Sequence, residues 1–202
     1  MSRIVFATGN AGKMREVKAI LADLNMEVLS MKEAGAVATA EENGKTFTEN
    51  AIIKAKDIAA KVPDAIVMAD DSGLEVDALN KEPGIYSARY LGEDTPYSIK
   101  NAVIIKRLEG VAQEKRTARF VCAIAAVLPD GTVLTACETI EGYIGYEERG
   151  EGGFGYDPIF MVPELGKSTA ELTAEEKNAI SHRGKALKAI KAKLLENRGN
   201  KA

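Results

Sequence analysis

The chain has 202 residues, enough for one large domain or for two lobes that share a core. Hydrophobic residues make up 46% and charged residues 28% of it, which excludes a disordered or fibrous protein. The net charge of −3 argues against a protein that binds nucleic acid by neutralising its backbone phosphates, so we expect no nucleic-acid partner. We take residues 1–202 as a single domain.

Localisation follows from the cysteines and from the apolar runs. Cys122 and Cys137 have neither the spacing of a metal site nor the density of a disulfide scaffold, which favours a reducing compartment. The apolar run near the N-terminus is too short for the core of a signal peptide, and no run approaches the roughly 18 apolar residues of a membrane span. We therefore expect a cytoplasmic protein with no membrane partner.

The chain opens with a predicted strand, loop and helix. Arg3 to Ala7 form a β-branched and aromatic run, after which apolar residues recur at helical spacing from Met14 to Leu24. A second helix is predicted to begin at Thr46, because Glu49 three residues later completes a capping-box pattern. The apolar run from Ala65 to Ala69 then predicts a buried strand.

A third helix and a long hairpin follow. Thr95 as N-cap and Pro96 in the first turn predict a helix that reaches Leu108. Residues 117–128 and 132–146 flank a Pro-Asp-Gly turn and predict a long antiparallel hairpin.

The last part of the chain is predicted to be helical. Thr173 and Glu176 form another capping-box pattern, and Leu187, Ile190 and Leu194 give the final helix an apolar stripe. The fold class is therefore α/β, with helices flanking a mixed sheet to which the hairpin adds antiparallel strands. Pro83-Gly84 is a candidate boundary between two lobes.

The first stretch that carries chemistry is ATGNAGK, from Ala7 to Lys13. A small-residue loop that opens a helix points backbone N–H groups and the positive helix end at a ligand, and Lys13 adds a charge. The stretch is not a P-loop, because the glycine spacing differs and Met14 stands where the magnesium-binding hydroxyl would be. A phosphate cradle and a plain strand-to-helix turn both fit it.

Two groups of carboxylates form the second candidate. Glu41 and Glu42 lie in a predicted loop, and ADDSGL, Ala69 to Leu74, stands at the end of a buried strand. Mg²⁺ is usually held by one or two carboxylates plus substrate phosphates, and a neighbouring carboxylate can accept a proton from an attacking water. Asp-Ser-Gly is also a common turn composition, so a turn without metal remains open.

The third candidate is RGEGGFGYDP, Arg149 to Pro158, which satisfies the G-x-G-x-x-G pattern. We reject dinucleotide binding, because the stretch lies far from the N-terminal strand and Asp157-Pro158 disfavours entry into a helix. Phe154 and Tyr156 favour a flexible wall on which a base stacks, with a bulged hairpin end and buried aromatics as the alternative.

The fourth candidate contains His182, the only histidine of the chain. With Lys177, Ser181 and Arg183 it places donors within seven residues that could converge on the carbonyl oxygens of one ligand. A Ser-His-Asp hydrolase is disfavoured, because the Gly-x-Ser-x-Gly elbow is missing and a serine rarely presents its oxygen to an adjacent histidine. A solvated or capping histidine remains open.

Together these candidates supply the parts of a nucleoside triphosphate site. The chain also resembles the noncanonical purine nucleoside triphosphate pyrophosphatases, the inosine triphosphatase or XTP/dITP diphosphatase family, in its bacterial form. The resemblance runs nearly end to end, through TGNAGK, GKTFTENAIIKA, ADDSGLEVDAL, PGIYSARY, RTARF, GFGYDPIF and ELTAEEKNAISHRGKAL. It implies Mg²⁺-dependent hydrolysis of ITP, dITP or XTP to the monophosphate and pyrophosphate, which removes these nucleotides from the pool. It also implies a homodimer, with a cleft between two lobes around a long bent mixed sheet.

The resemblance assigns roles residue by residue. Asp71 matches the proton acceptor and one metal ligand, and either Glu41 or Glu42 matches the other ligand. Asn43 departs from the threonine more often found there. The positions that match substrate-binding residues are Thr8, Gly9, Asn10, Ala11, Gly12, Lys13, Lys54, Ser72, Phe154, Gly155, Tyr156, Asp157, Lys177, His182 and Arg183.

Base selection follows from hydrogen-bond chemistry. Hypoxanthine and xanthine present a 6-keto acceptor where adenine presents an amino donor, so donors such as those of His182 and Arg183 would face a donor in adenine. Each such mismatch costs on the order of 1 to 3 kcal/mol when buried. Guanine shares the keto oxygen, so its exclusion stays open. A nucleotide sensor without hydrolysis and a single-stranded nucleic-acid binder are the alternatives from other classes.

Overall fold

The computed structural model describes residues 3–199, apart from the side chain of Arg198. Its strands are β1 (Arg3–Phe6), β2 (Glu27–Ser30), β3 (Ile66–Val76), β4 (Thr117–Val127), β5 (Val133–Ile144), β6 (Phe160–Val162) and β7 (Lys167–Ser168). Its α-helices are α1 (Ala11–Leu21), α2 (Phe47–Ala59), α3 (Tyr97–Arg107), α4 (Ala174–Ile180) and α5 (His182–Gly199).

The strands form a mixed sheet in the order β2-β1-β3-β4-β5-β6-β7. β1 pairs in parallel with β2 and β3, whereas β6 pairs antiparallel with β5 and β7. β4 and β5 are neighbours joined by a tight turn, in which the Leu128 N–H donates to the Thr132 carbonyl. The predicted α/β class with a mixed sheet is confirmed, and so is the hairpin.

The chain divides into two compact units, and the first contains residues 1–71, 122–138 and 183–202. Its core takes alternate residues of the strands, such as Ile66 and Met68 of β3, because successive side chains of a strand point to opposite faces. α1 and α5 bury one stripe each in this core, as the helical spacing predicts. The buried members from these helices include Val17 and Leu21 of α1 and Leu187 and Ile190 of α5.

The second unit contains residues 72–121 and 139–182. Its core joins Leu74 and Val76 of β3 to Ile104 of α3 and to Phe160 of β6. Arg116 is fully buried there, and its guanidinium donates to the carbonyl oxygens of Leu108, Ile144 and Gly145. These bonds hold the end of α3 against the end of β5.

Three local predictions are wrong in detail. β3 does not end before ADDSGL but continues through it to Val76, so Asp-Ser-Gly is strand rather than turn. Thr95 does not cap α3, because the helix begins at Tyr97 and Pro96 occupies the N-cap position. The Thr95 hydroxyl donates to the Leu91 carbonyl. Pro83 and Gly84 lie inside the second unit rather than at a unit boundary.

The two capping predictions have different outcomes. Thr173 and Glu176 form a complete capping box at the start of α4, as predicted. Thr46 caps α2 by accepting from the Glu49 N–H, but the Glu49 carboxylate accepts from the Lys45 N–H instead of closing the box at Thr46. In the part of the chain that the structure describes, no helix has the length and hydropathy to cross a bilayer.

Candidate functional site

The loop between β1 and α1 is built to present the start of a helix. The Asn10 side chain caps α1 by accepting from the Lys13 N–H at 3.0 Å, and the Thr8 hydroxyl accepts from the Asn10 N–H at 3.2 Å. Gly9, Asn10 and Ala11 are exposed, while Gly12 and Lys13 are half-buried. The first turn of α1 therefore faces outward with its positive end accessible to an anion.

Asp70 and Asp71 lie in the middle of β3, and their carboxylates point to opposite faces of the strand. Asp70 shares the parity of Ile66 and Met68, whose side chains pack with α1 and α5. Asp71 has the other parity and contacts residues of α2. One strand thereby places two adjacent carboxylates in different surroundings.

Asp70 is buried among cations. The Lys13 Nζ lies 2.9 Å from Asp70 Oδ2, and the Arg183 Nε lies 3.3 Å from the same oxygen. Burial alone would raise the pKa of Asp70, but the positive charges of Lys13 and Arg183 outweigh it and hold this pKa well below its usual range. Asp70 is therefore ionised and holds Lys13 in place.

Arg183 connects the start of α5 to two carboxylates. Its guanidinium pairs with Glu16 of α1 as well as with Asp70, and 3% of its side chain is exposed. Burial opposes the charge, but the Asp70 and Glu16 carboxylates raise the pKa of Arg183 further above its usual value. These contacts connect the first turn of α5 to Glu16 of α1 and to Asp70, which also pairs with Lys13.

Asp71 is held between Asn50 and Lys54, which lie four residues apart on α2. The Asn50 Nδ2 donates to Asp71 Oδ2 at 3.2 Å, and the Lys54 Nζ lies 3.5 Å from Asp71 Oδ1. The same Nζ lies 3.2 Å from Glu42 Oε2. Lys54 therefore links Asp71 to the loop that carries Glu42.

The titration behaviour of Asp71 is opposite to that of Asp70. Burial raises the pKa of Asp71 above its ordinary value, although the Lys54 charge opposes the shift. Burial disfavours the charged form of Lys54, but the carboxylates around it raise the pKa of this lysine. Adjacent carboxylates with pKa values driven apart are a usual sign of separate roles in acid–base chemistry.

The donor set around Lys54 fits Mg²⁺. Among residues 3–199, no group of three or more His, Cys, Asp or Glu side chains is arranged to hold a metal ion. Asp71 and Glu42 contact the same Nζ, and two carboxylates completed by phosphates and water are the usual protein environment of Mg²⁺. Glu41 is exposed, so Glu42 is the member of the glutamate pair that reaches this cluster.

In the second unit, Asp157 organises the glycine-rich stretch. Its Oδ2 accepts from the Phe154 N–H at 2.7 Å and pairs with the Lys177 Nζ at 2.8 Å. Its Oδ1 accepts from the Thr169 hydroxyl at 2.8 Å. The Lys177 Nζ lies 4.6 Å from the centroid of the Phe154 ring. The predicted base-recognition residues Phe154, Asp157 and Lys177 are thus brought together.

The two aromatic rings of this stretch have different environments. The Tyr156 ring is buried in the core, its hydroxyl donates to the Ser87 carbonyl at 2.7 Å, and burial raises its pKa. Gly155, between these two residues in the sequence, and Phe154 are both half-buried. Phe154 is therefore the ring of this stretch that retains an accessible surface.

His182 and Ser72 lie at the margins of the second unit. His182 begins α5, is buried, and stacks on the Phe120 ring with centroids 4.9 Å apart. Ser72 follows Asp71 in β3 and is half-buried. The chain passes into the first unit between His182 and Arg183, so these neighbours have contacts in different units.

Several residues of these clusters escaped the sequence predictions. Asn50 could have been predicted as a site residue from the sequence. It is a polar residue on the apolar face of α2 and precedes Lys54 by one helical turn. Glu16 and Thr169 have partners far along the chain, for which local sequence carries no signal.

The chain is similar to one protein family over nearly its whole length. A model of the Ham1 family matches residues 4–193. A protein of Exiguobacterium sibiricum named dITP/XTP pyrophosphatase is 49% identical over 192 residues, covering 95% of this chain and 96% of that protein.

Two solved structures are also similar. The Ham1 protein of Staphylococcus aureus is 42% identical, with a TM-score of 0.86, and the match covers 97% of this chain and 100% of that one. The HAM1 protein from Coxiella burnetii is 41% identical, with a TM-score of 0.87 and the same two coverages.

Proposed function

The chain belongs to the Ham1 family, and from this premise we propose that it is a pyrophosphatase acting on dITP, ITP and XTP. The products are the monophosphate and pyrophosphate. The observation that carries the proposal is the buried Asp71, held by Asn50 and Lys54 beside the Glu42 loop and in the same unit as the Thr8 to Lys13 loop. The resemblance inferred from the sequence motifs is confirmed.

The first unit supplies the groups that bind a triphosphate. The positive end of α1 begins at the exposed Ala11, and Lys13 and Lys54 offer positive charge. Asp71 and Glu42 would hold Mg²⁺. When bound, this ion offsets negative charge on the phosphate oxygens.

Asp71 is proposed to position the attacking water and accept its proton. The water oxygen bonds to the α-phosphorus, the bond from that phosphorus to the bridging oxygen breaks, and pyrophosphate leaves. A base works best when its pKa lies near the working pH, and burial moves the pKa of Asp71 in that direction. Asp70 is not assigned this role, because Lys13 and Arg183 contact its carboxylate and hold its pKa well below the usual range, which makes it a weak base.

The second unit is proposed to read the base. Phe154 offers a partly exposed ring for stacking, and Lys177 and His182 offer donors suited to a 6-keto oxygen. Arg183 belongs to the first unit, where its guanidinium pairs with Asp70 and Glu16, and its part in reading the base stays a prediction. Ser72, Gly155, Tyr156 and Asp157 complete the proposed substrate-binding residues. The homodimer, the cytoplasmic location, the single domain and the cleft between lobes stay predictions.

The test is pyrophosphate release from dITP, ITP, XTP, GTP and ATP, with and without Mg²⁺. We expect rapid release from the first three, slow release from ATP, and loss of release when Mg²⁺ is chelated. Asp71→Asn should lower turnover by roughly 10² to 10⁴-fold, the usual contribution of a positioned base, while nucleotide affinity is largely kept.

Three results would contradict the proposal. Equal rates of pyrophosphate release from ATP and dITP would contradict the proposed base selectivity. Near wild-type turnover of Asp71→Asn would contradict the assignment of Asp71 as the base. Tight nucleotide binding without any pyrophosphate release would instead indicate a nucleotide sensor.

A further inference from the structure

Asn50 is fully buried near the start of α2, and both ends of its amide are used. The Nδ2 donates to Asp71 Oδ2 at 3.2 Å, and the Oδ1 accepts from the Gly44 N–H at 2.8 Å. A carboxylate can only accept and an N–H can only donate, so the two partners determine which way the amide faces. One side chain thus joins β3 to the loop that carries Glu42.

The contact with the loop leaves no spare room. A Cβ added at Gly44 would come within 2.6 Å of Asn50 Oδ1 and within 2.8 Å of the Glu49 Cβ. Gly44 follows Glu42 by two residues, so its position restricts where the Glu42 carboxylate lies. The loop backbone therefore approaches α2 as closely as it does because residue 44 is glycine.

Lys54 completes the arrangement one helical turn later. It contacts Asp71 Oδ1 and Glu42 Oε2, while Asn50 holds Asp71 Oδ2. Both oxygens of Asp71 therefore have partners on α2, and of these two partners Asn50 also accepts from the loop backbone, at the Gly44 N–H. A lysine can change partners when a cation or phosphate arrives, whereas a buried amide with a fixed donor and acceptor keeps its geometry.

We propose that Asn50 is a positioning residue that fixes the orientation of Asp71 and its separation from the Glu42 loop. The inference rests on the proposed function, because a shared divalent cation and an attacking water require that separation to be constant. A purely structural role would lower stability and leave the kinetics of the folded enzyme unchanged.

The two hydrogen bonds of the amide can be removed separately. Asn50→Asp keeps an acceptor for the Gly44 N–H but replaces the donor that faces Asp71. Gly44→Ala places a Cβ against Asn50 Oδ1 and so disrupts the loop contact, while residues 50 and 71 themselves are unchanged. Asn50→Leu has similar volume and removes both bonds. Lys56→Gln changes the charge by the same amount as Asn50→Asp at an exposed position of the same helix, and it serves as the control.

Two measurements are needed on each variant. The first is kcat and KM for dITP over a range of Mg²⁺ concentrations. The second is hydrogen–deuterium exchange of the segment around Gly44 in the absence of nucleotide and metal, which reports the loop contact independently of activity.

We expect different losses from the variants. Asn50→Asp should keep slow exchange at Gly44 and lose kcat by roughly 10 to 100-fold, the usual effect of removing a partner that orients a catalytic or ligating group. Gly44→Ala should speed exchange and raise the Mg²⁺ concentration for half-maximal activity by a similar factor. Asn50→Leu should show both changes, and Lys56→Gln neither.

The outcomes separate this inference from the proposed function. If wild-type enzyme releases no pyrophosphate from dITP, the proposed function fails and this inference fails with it. If wild-type enzyme is active and a folded Asn50→Leu retains its kcat and Mg²⁺ dependence, this inference alone is overturned. If the Asn50 variants do not fold, an unchanged Mg²⁺ dependence in Gly44→Ala overturns it.

Discussion

Asp70 and Asp71 are identical residues with neighbouring positions and opposite electrostatic surroundings. Asp70 faces Lys13 and Arg183, so its charge is compensated in the folded protein. Asp71 faces one amide and one lysine that it shares with Glu42, and burial dominates its pKa. A search for acidic pairs in the sequence therefore finds both aspartates but cannot tell which is available for proton transfer.

The first prediction concerns the stability contributed by Asp70. Asp70→Asn should lower the free energy of unfolding at pH 7 by about 3 kcal/mol, because removing one partner of a buried ion pair leaves its cations uncompensated. The pKa of Asp70 is lowered by folding, so its contribution is fully present above the ordinary pKa of 3.8 and is lost as the pH falls below that value. Urea denaturation of both proteins between pH 7 and pH 3 measures the difference.

The exposed Asp64→Asn is a matched control that should change stability little at any pH. A difference between wild type and Asp70→Asn that stays constant from pH 7 to pH 3 would contradict the assignment of an ionised Asp70.

Among the elements, α4 is short and depends on its N-terminal cap. Thr173 accepts from the Glu176 N–H, and Glu176 accepts in return from the Thr173 N–H. The helix carries Lys177, whose pairing with Asp157 holds the Phe154 segment. The cap therefore supports residues proposed to read the base.

The second prediction concerns this cap. Thr173→Ala should lower the free energy of unfolding by about 1 kcal/mol, because the first turn of α4 loses a hydrogen-bond acceptor. Thr173→Ser keeps the hydroxyl and should stay close to wild type. Urea denaturation compares the three proteins, and an equal loss in the alanine and serine variants would show that the hydroxyl is not the stabilising group.

At the scale of the whole molecule, ligand binding should appear as added stability. A ligand that binds only the folded state at 100 times its Kd stabilises it by about 2.7 kcal/mol. We expect a non-hydrolysable dITP analogue to give this gain in the presence of Mg²⁺ and a much smaller gain after chelation. Thermal and urea denaturation measure it, and a gain unaffected by chelation would contradict the proposed use of Asp71 and Glu42.

Much of the secondary structure was predictable from local patterns. The helical spacing of Val17 and Leu21 and the hydroxyl cap at Thr173 depend on residues only a few positions apart, and both are confirmed. The prediction at Thr95 is wrong, because the helix begins one residue later than the pattern indicates and Pro96 occupies the N-cap position. A capping pattern therefore predicts a cap only where the helix begins at the residue that follows it.

The position at which β3 ends could not be predicted from the local sequence pattern alone. Ala69 to Leu74 has the composition of a strand end and a turn, yet the strand continues to Val76. Asp70 and Asp71 tolerate burial in mid-strand because other elements supply their partners. Those partners come from distant parts of the chain, so composition could not reveal them.

From the amino-acid sequence one can infer the α/β class, the family and most of the residues proposed for the site, because motif and periodicity are properties of short segments. Only the tertiary structure decided that Asp70 pairs with Arg183, 113 residues away, while Asp71 pairs with Asn50, 21 residues away. The sheet order and the parity of β3 select these partners, and both are fixed by the packing of the folded chain. The separate roles of two adjacent aspartates therefore arise from the fold.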